Sequence, residues 1–220
     1  MESFKLTFGL STEPEKEKFL IEYLLDIRSY FRWCENSSVL EIGPYLGHHT
    51  DLIQSYPNTE VTLVENNLDA VIKLKEGFNT NIIHEDIFDF LYTSKKHFDV
   101  VVCCGVLYHL HSPIYLLELI VNNATPETII LETINLEIDQ PNNFPNEPEH
   151  LVMREEQDNL PGMRYTTSGW KSAKISTMYT IDQFVSVMYN LGYTLVETNS
   201  TPYPNLAGKE NVKLMVFTQI

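Results

Sequence analysis

At 220 residues with 43% apolar content and no Pro/Gly/Ser-rich linker, the chain can bury one substantial core, and a single domain over 1–220 is expected. Its formal charge of −15 is carried before residue 150, and no Lys/Arg cluster exceeds Lys95-Lys96, which argues against unaided nucleic-acid binding. No basic-then-apolar leader or membrane-length apolar run is present, and three cysteines, two of them adjacent (Cys103, Cys104), give neither a disulfide framework nor zinc-ligand spacing. The expectation is a cytoplasmic protein with no membrane and no metal; the oligomeric state is not readable.

The first predicted element is an amphipathic helix over 14–33, started by Thr12 and Pro14. Leu20, Tyr23, Leu24, Ile27, Tyr30 and Phe31 recur at helical spacing, so it should cover the edge of the core. Ser38 to Gly43 then reads as a buried strand, followed by a glycine turn and a helix from His48 that stops before Pro57. Glycines suit such a turn because side chains would hold the backbone away from a ligand. Glu60 to Glu65 is the second strand, with Asn67 capping a helix over Leu68 to Lys75.

Asn81 to His84 is the third strand. Phe98 to Cys103 is the most continuously apolar stretch and fits a central strand buried on both faces. A helix over Pro113 to Asn122 and a strand over Thr128 to Ile134 continue the alternation. After a long segment, a helix over Ile181 to Leu191 precedes strands Thr194 to Thr198 and Val212 to Thr218. No helix separates these last two, so they should pair antiparallel. The fold expected is α/β: a doubly wound, mostly parallel, seven-stranded Rossmann-like sheet ending in an antiparallel strand pair.

Three features of that frame are similar to class I S-adenosylmethionine-dependent methyltransferases: Glu41-x-Gly43-x-x-x-Gly47, the acidic Glu65 ending strand two, and Glu85-Asp86 after strand three. The resemblance implies that the first loop, with Glu41, Gly43, Tyr45, Gly47 and Thr50, passes the methionine portion of the cofactor. It gives the ribose diol to Glu65 beside Asn66, and the adenine to Glu85, Asp86 and Ile87. Cys104 and Gly105 would close the pocket at the end of strand four, although Cys103 and Cys104 lie on an apolar strand and read first as core residues. A carboxylate accepts at two oxygens, which suits a vicinal diol. A nicotinamide-binding domain would favour Gly-x-Gly-x-x-Gly, but Tyr45 and His48 stand at its second and third glycine positions.

Gly105-Val-Leu-Tyr-His109, then Ser-Pro and a leucine-rich helix, with Leu131-Glu-Thr133 in the next strand, resembles the transfer-RNA wobble-uridine carboxymethyltransferases. That resemblance implies a carboxylated cofactor, carboxy-S-adenosylmethionine, with Tyr108 holding the extra carboxylate. The chain lacks that family's long N-terminal extension and basic surface, so the ordinary cofactor is preferred here. Open α/β sheets bind ligands at the carboxyl ends of their strands, which makes Tyr108, His109 and His111 the catalytic candidates, with histidine as a base near neutral pH. Residues 135–179 are too long for a simple connection. In the methyltransferases this chain resembles, insertions after strand five often build the acceptor pocket, so the resemblance implies an acceptor site there, with Arg164, Trp170 and Lys171, besides Tyr108, as acceptor-binding residues. The expected function is methyl transfer to a small molecule. A transfer-RNA carboxymethyl or methyl transferase working with a partner, and a non-catalytic binding subunit, are the alternatives.

Overall fold

Alternating side chains along five parallel strands send one apolar set to each side of a sheet, and helices cover both sides. The computed structural model describes residues 6–7, 14–134, 151–152, 164–166, 176–202 and 211–220. The parallel strands are β1 (Ser38–Ile42), β2 (Glu60–Glu65), β3 (Asn81–His84), β4 (Val100–Cys104) and β5 (Thr128–Ile134). Three further short strands are β6 (Leu151–Val152), β7 (Arg164–Thr166) and β8 (Ser176–Met178), and the long final pair is β9 (Tyr193–Pro202) and β10 (Asn211–Gln219). The main sheet has seven strands in the order β3-β2-β1-β4-β5-β10-β9, with β10 antiparallel to both β5 and β9. This is the expected doubly wound sheet.

One core lies under α1 (Pro14–Ile27), α2 (His48–Gln54) and α3 (Leu68–Gly77), and holds Leu24, Phe31, Val39, Val102, Ile130 and Val216. The other lies under α4 (Ile87–Thr93), α5 (Pro113–Leu119) and α6 (Ile181–Asn190), and holds Leu40, Val101, Leu131, Phe184 and Phe217. Period-two alternation therefore puts Glu41, Cys104 and Glu132 on the α1/α2 face and Cys103 on the opposite one.

The expected 14–33 helix is α-helical only to Ile27, and Arg28–Cys34 winds as a 3-10 helix. The tighter winding places residues three apart on one side, which buries Phe31 and Cys34 together. Likewise the α-helix begun at Pro113 ends at Leu119, and Ile120–Ala124 continues as a π-turn closed by left-handed Thr125. In the long segment, β6, β7 and β8 form a small antiparallel sheet. β8 runs beside the 3-10 turn Leu107–His109. Arg164 opens β7 in register with Met178. Trp170 and Lys171, the other acceptor residues expected from this segment, lie outside the described residues.

Candidate cofactor and active site

The turn between β1 and α2 is built from alternating left-handed residues. Gly43, Tyr45 and Gly47 have φ of 65°, 52° and 78°, and the Gly47 N–H closes the turn on the Pro44 carbonyl at 2.8 Å. A Cβ on Gly47 would stand 2.3 Å from Cε2 of Phe78, so this glycine is required by packing against the end of α3. Tyr45 is the departure from glycine in that pattern, and a non-glycine residue there costs on the order of 1–3 kcal/mol. The Tyr45 backbone N–H donates to Oε2 of Glu65 at 3.0 Å, which holds the turn in this conformation.

Glu65 ends β2 and is only 6% exposed. Its other oxygen, Oε1, accepts the Asn67 N–H at 2.8 Å, so one carboxylate ties the β1–α2 turn to the start of α3. Each carboxylate oxygen has a second lone pair, so the group keeps capacity to accept from a diol. Asn66 is exposed, with its carbonyl 3.2 Å from Nε2 of His84. After β3, Asp86 caps α4 by accepting the Phe88 N–H at 2.8 Å, Glu85 is half-buried and donates its N–H to the Glu65 carbonyl, and Ile87 is buried.

On the α1/α2 face lies a buried polar patch. Thr50 donates its hydroxyl to Oε2 of Glu41 at 2.7 Å, and burial pushes the Glu41 carboxyl up to about 8 despite that bond. One step further along the strands, Cys104 and Glu132 are register partners, and burial raises both, Glu132 to about 8. Tyr23 of α1 donates its hydroxyl to Oε2 of Glu132. His49 of α2 stacks on Phe31 and brings Nε2 within 3.4 Å of the same oxygen. Burial lowers His49 to about 3, so at neutral pH this contact joins an uncharged imidazole to a carboxyl and is not an ion pair.

At the end of β4, Gly105 is left-handed, and the hydroxyl of Tyr108 stands 3.5 Å from where its Cβ would be. Tyr108 and His109 follow on the 3-10 turn with ring centroids 4.3 Å apart. Burial lowers the His109 pKa, which keeps the imidazole in its neutral, proton-accepting form at neutral pH. His111 is exposed beyond the turn. The cofactor and catalytic candidates thus lie at the carboxyl ends of β1, β2, β3 and β4. The sequence reading missed the grouping of Tyr23, His49, Cys104 and Glu132. Its only signal was a histidine beside Thr50 and a glutamate inside an apolar strand.

The fold defines a class of protein, and comparison bears it out. The family model described as "Methyltransferase domain" matches residues 16–198. The chain belongs to that family, and it is a class I S-adenosylmethionine-dependent methyltransferase. Solved structures share the fold at low identity. An S-adenosylmethionine-dependent methyltransferase from Mesorhizobium loti is 11% identical, with 89% of this chain and 97% of that chain covered and a TM-score of 0.65. Magnesium protoporphyrin IX methyltransferase from Synechocystis, with bound S-adenosylhomocysteine, is 12% identical over 97% of this chain and 91% of that one, with a TM-score of 0.64. The 1,6-didemethyltoxoflavin-N1-methyltransferase of Burkholderia thailandensis, with its acceptor and S-adenosylhomocysteine bound, is 11% identical over 95% and 80%, with a TM-score of 0.60. Among curated proteins, no sequence matches the chain. Among the described residues, no helix is long and apolar enough to cross a membrane.

Proposed function

We propose that this chain transfers a methyl group from S-adenosylmethionine to a small-molecule acceptor, with the cofactor held along the carboxyl ends of β1, β2, β3 and β4. The observation that carries this reading is Glu65, a buried carboxylate fixed by two backbone N–H groups with acceptor capacity left over. Glu65 takes the ribose hydroxyls. The left-handed turn through Gly43, Tyr45 and Gly47 carries the methionine portion, and Glu85, Asp86 and Ile87 border the adenine. Bound there, the cofactor supplies an electrophilic methyl group. His109, neutral and on the 3-10 turn that follows β4, takes the proton of a hydroxyl or protonated nitrogen acceptor, and Tyr108 orients that acceptor. The small sheet β6-β7-β8 beside this turn forms one wall of the acceptor site.

Structural relatives named as methyltransferases of 1,6-didemethyltoxoflavin and magnesium protoporphyrin IX support a small acceptor. The formal charge of −15 argues against a polyanion. Incubation with methyl-labelled S-adenosylmethionine, with small-metabolite extract and bulk transfer RNA in parallel, tests the reading. Label is expected in the small-molecule fraction, and salt-sensitive label in RNA would overturn it. A second reading follows from the Tyr108 hydroxyl above Gly105: it could hold the carboxylate of a carboxylated cofactor. Mass spectrometry of the copurifying cofactor separates the two, and the ordinary species is expected.

A further inference from the structure

We propose that His49, Cys104 and Glu132 form a binding site for a single borderline-soft divalent cation of the zinc and cobalt class. One ligand atom from each of these residues lies within 4.8 Å of the other two. The residues come from α2, β4 and β5, so only the fold assembles them. The His49 Nε2 to Glu132 Oε2 separation of 3.4 Å is close to the edge of a tetrahedron with metal–ligand bonds near 2.0 Å, about 3.3 Å. A nitrogen, sulfur and oxygen set selects zinc-like ions over magnesium or calcium, which prefer all-oxygen shells.

Two further observations point to a ligand. Nε2 of His49 is buried and makes no hydrogen bond, although such an atom normally has a partner. The set also balances charge: a neutral imidazole, a thiolate and a carboxylate together carry −2, so a dication leaves the site neutral inside an apolar core. Supporting contacts are already in place. The Tyr23 hydroxyl donates to Glu132, and Phe31 stacks on the His49 ring and fixes its plane. Three protein ligands leave a fourth position open, as in metal sites that bind a reacting molecule. The inference goes beyond the methyl-transfer reading and does not depend on it.

The test uses the whole protein, stripped with a chelator and titrated with Co²⁺ while the thiolate-to-cobalt absorption is followed. One equivalent should bind with that absorption, Zn²⁺ should displace it, and Zn²⁺ should raise the melting temperature. Cys104→Ser should lose the absorption. His49→Gln should weaken binding at least tenfold, and Tyr23→Phe roughly 10- to 100-fold, the usual cost of losing a partner of a metal ligand. Absence of both the absorption and the melting shift in the wild-type protein would overturn the site, as would unchanged cobalt binding in Cys104→Ser and His49→Gln. S-adenosylhomocysteine binding to the stripped protein, measured in parallel, shows whether the methyl-donor site stands on its own.

Discussion

His109 and Tyr108 share one short turn, and the chemistry assigned to them separates by measurement. A positioned general base contributes on the order of a hundred- to ten-thousandfold to turnover, so His109→Gln should lose that much in kcat while affinity for S-adenosylhomocysteine stays the same. Burial lowers the His109 pKa, so the neutral base persists to more acid pH than free histidine. The acid limb of the rate profile should therefore fall below pH 6.5, the ordinary value, and vanish in His109→Gln. An unchanged rate in that variant would move the base elsewhere. Tyr108→Phe should leave affinity for the ordinary cofactor nearly intact; a selective loss for the carboxylated cofactor would favour the other branch.

At the scale of elements, the β1–α2 turn does two jobs. Gly47 faces Phe78 and Leu74 of the first core, and its φ of 78° disfavours any side chain. Gly47→Val should thus destabilise the fold by about 2–4 kcal/mol through overpacking and strain, seen as a lower melting temperature before any effect on cofactor binding. A variant with unchanged melting but weakened binding would assign the glycine to the ligand instead. The strands and helices were legible because each carries its own signal: the apolar run of β4, the Asn67 cap of α3, the stop at Pro57 after α2. Asn67 does cap α3, accepting the Ala70 N–H at 3.1 Å. The change from α to 3-10 winding at Arg28 was not legible, because residues three apart are apolar in both windings. The patch of Tyr23, His49, Cys104 and Glu132 was also not legible, since it forms only when β4 and β5 lie side by side under α1 and α2.

For the whole molecule, burying acids makes stability depend on pH in a fixed direction. Glu41 keeps its proton to about pH 8 in the folded chain, while the unfolded chain releases it near the ordinary glutamate value of 4.5. Its stabilising effect is full below that lower value and is lost as pH rises toward 8. At about 1.4 kcal/mol per pKa unit, the loss is on the order of a few kcal/mol. Glu41→Gln should therefore melt close to wild type at pH 5 and above it at pH 8; equal melting at both would mean that Glu41 is ionised in the folded chain. The central claim is that this sheet holds S-adenosylmethionine through Glu65, and calorimetric titration of S-adenosylhomocysteine into wild type and Glu65→Gln tests it most directly. Loss of charged hydrogen bonds costs about 1.5–3 kcal/mol, so the variant should bind roughly ten- to a hundredfold more weakly at unchanged stoichiometry. Equal affinity in the two proteins, or no binding by the wild type, would contradict the account.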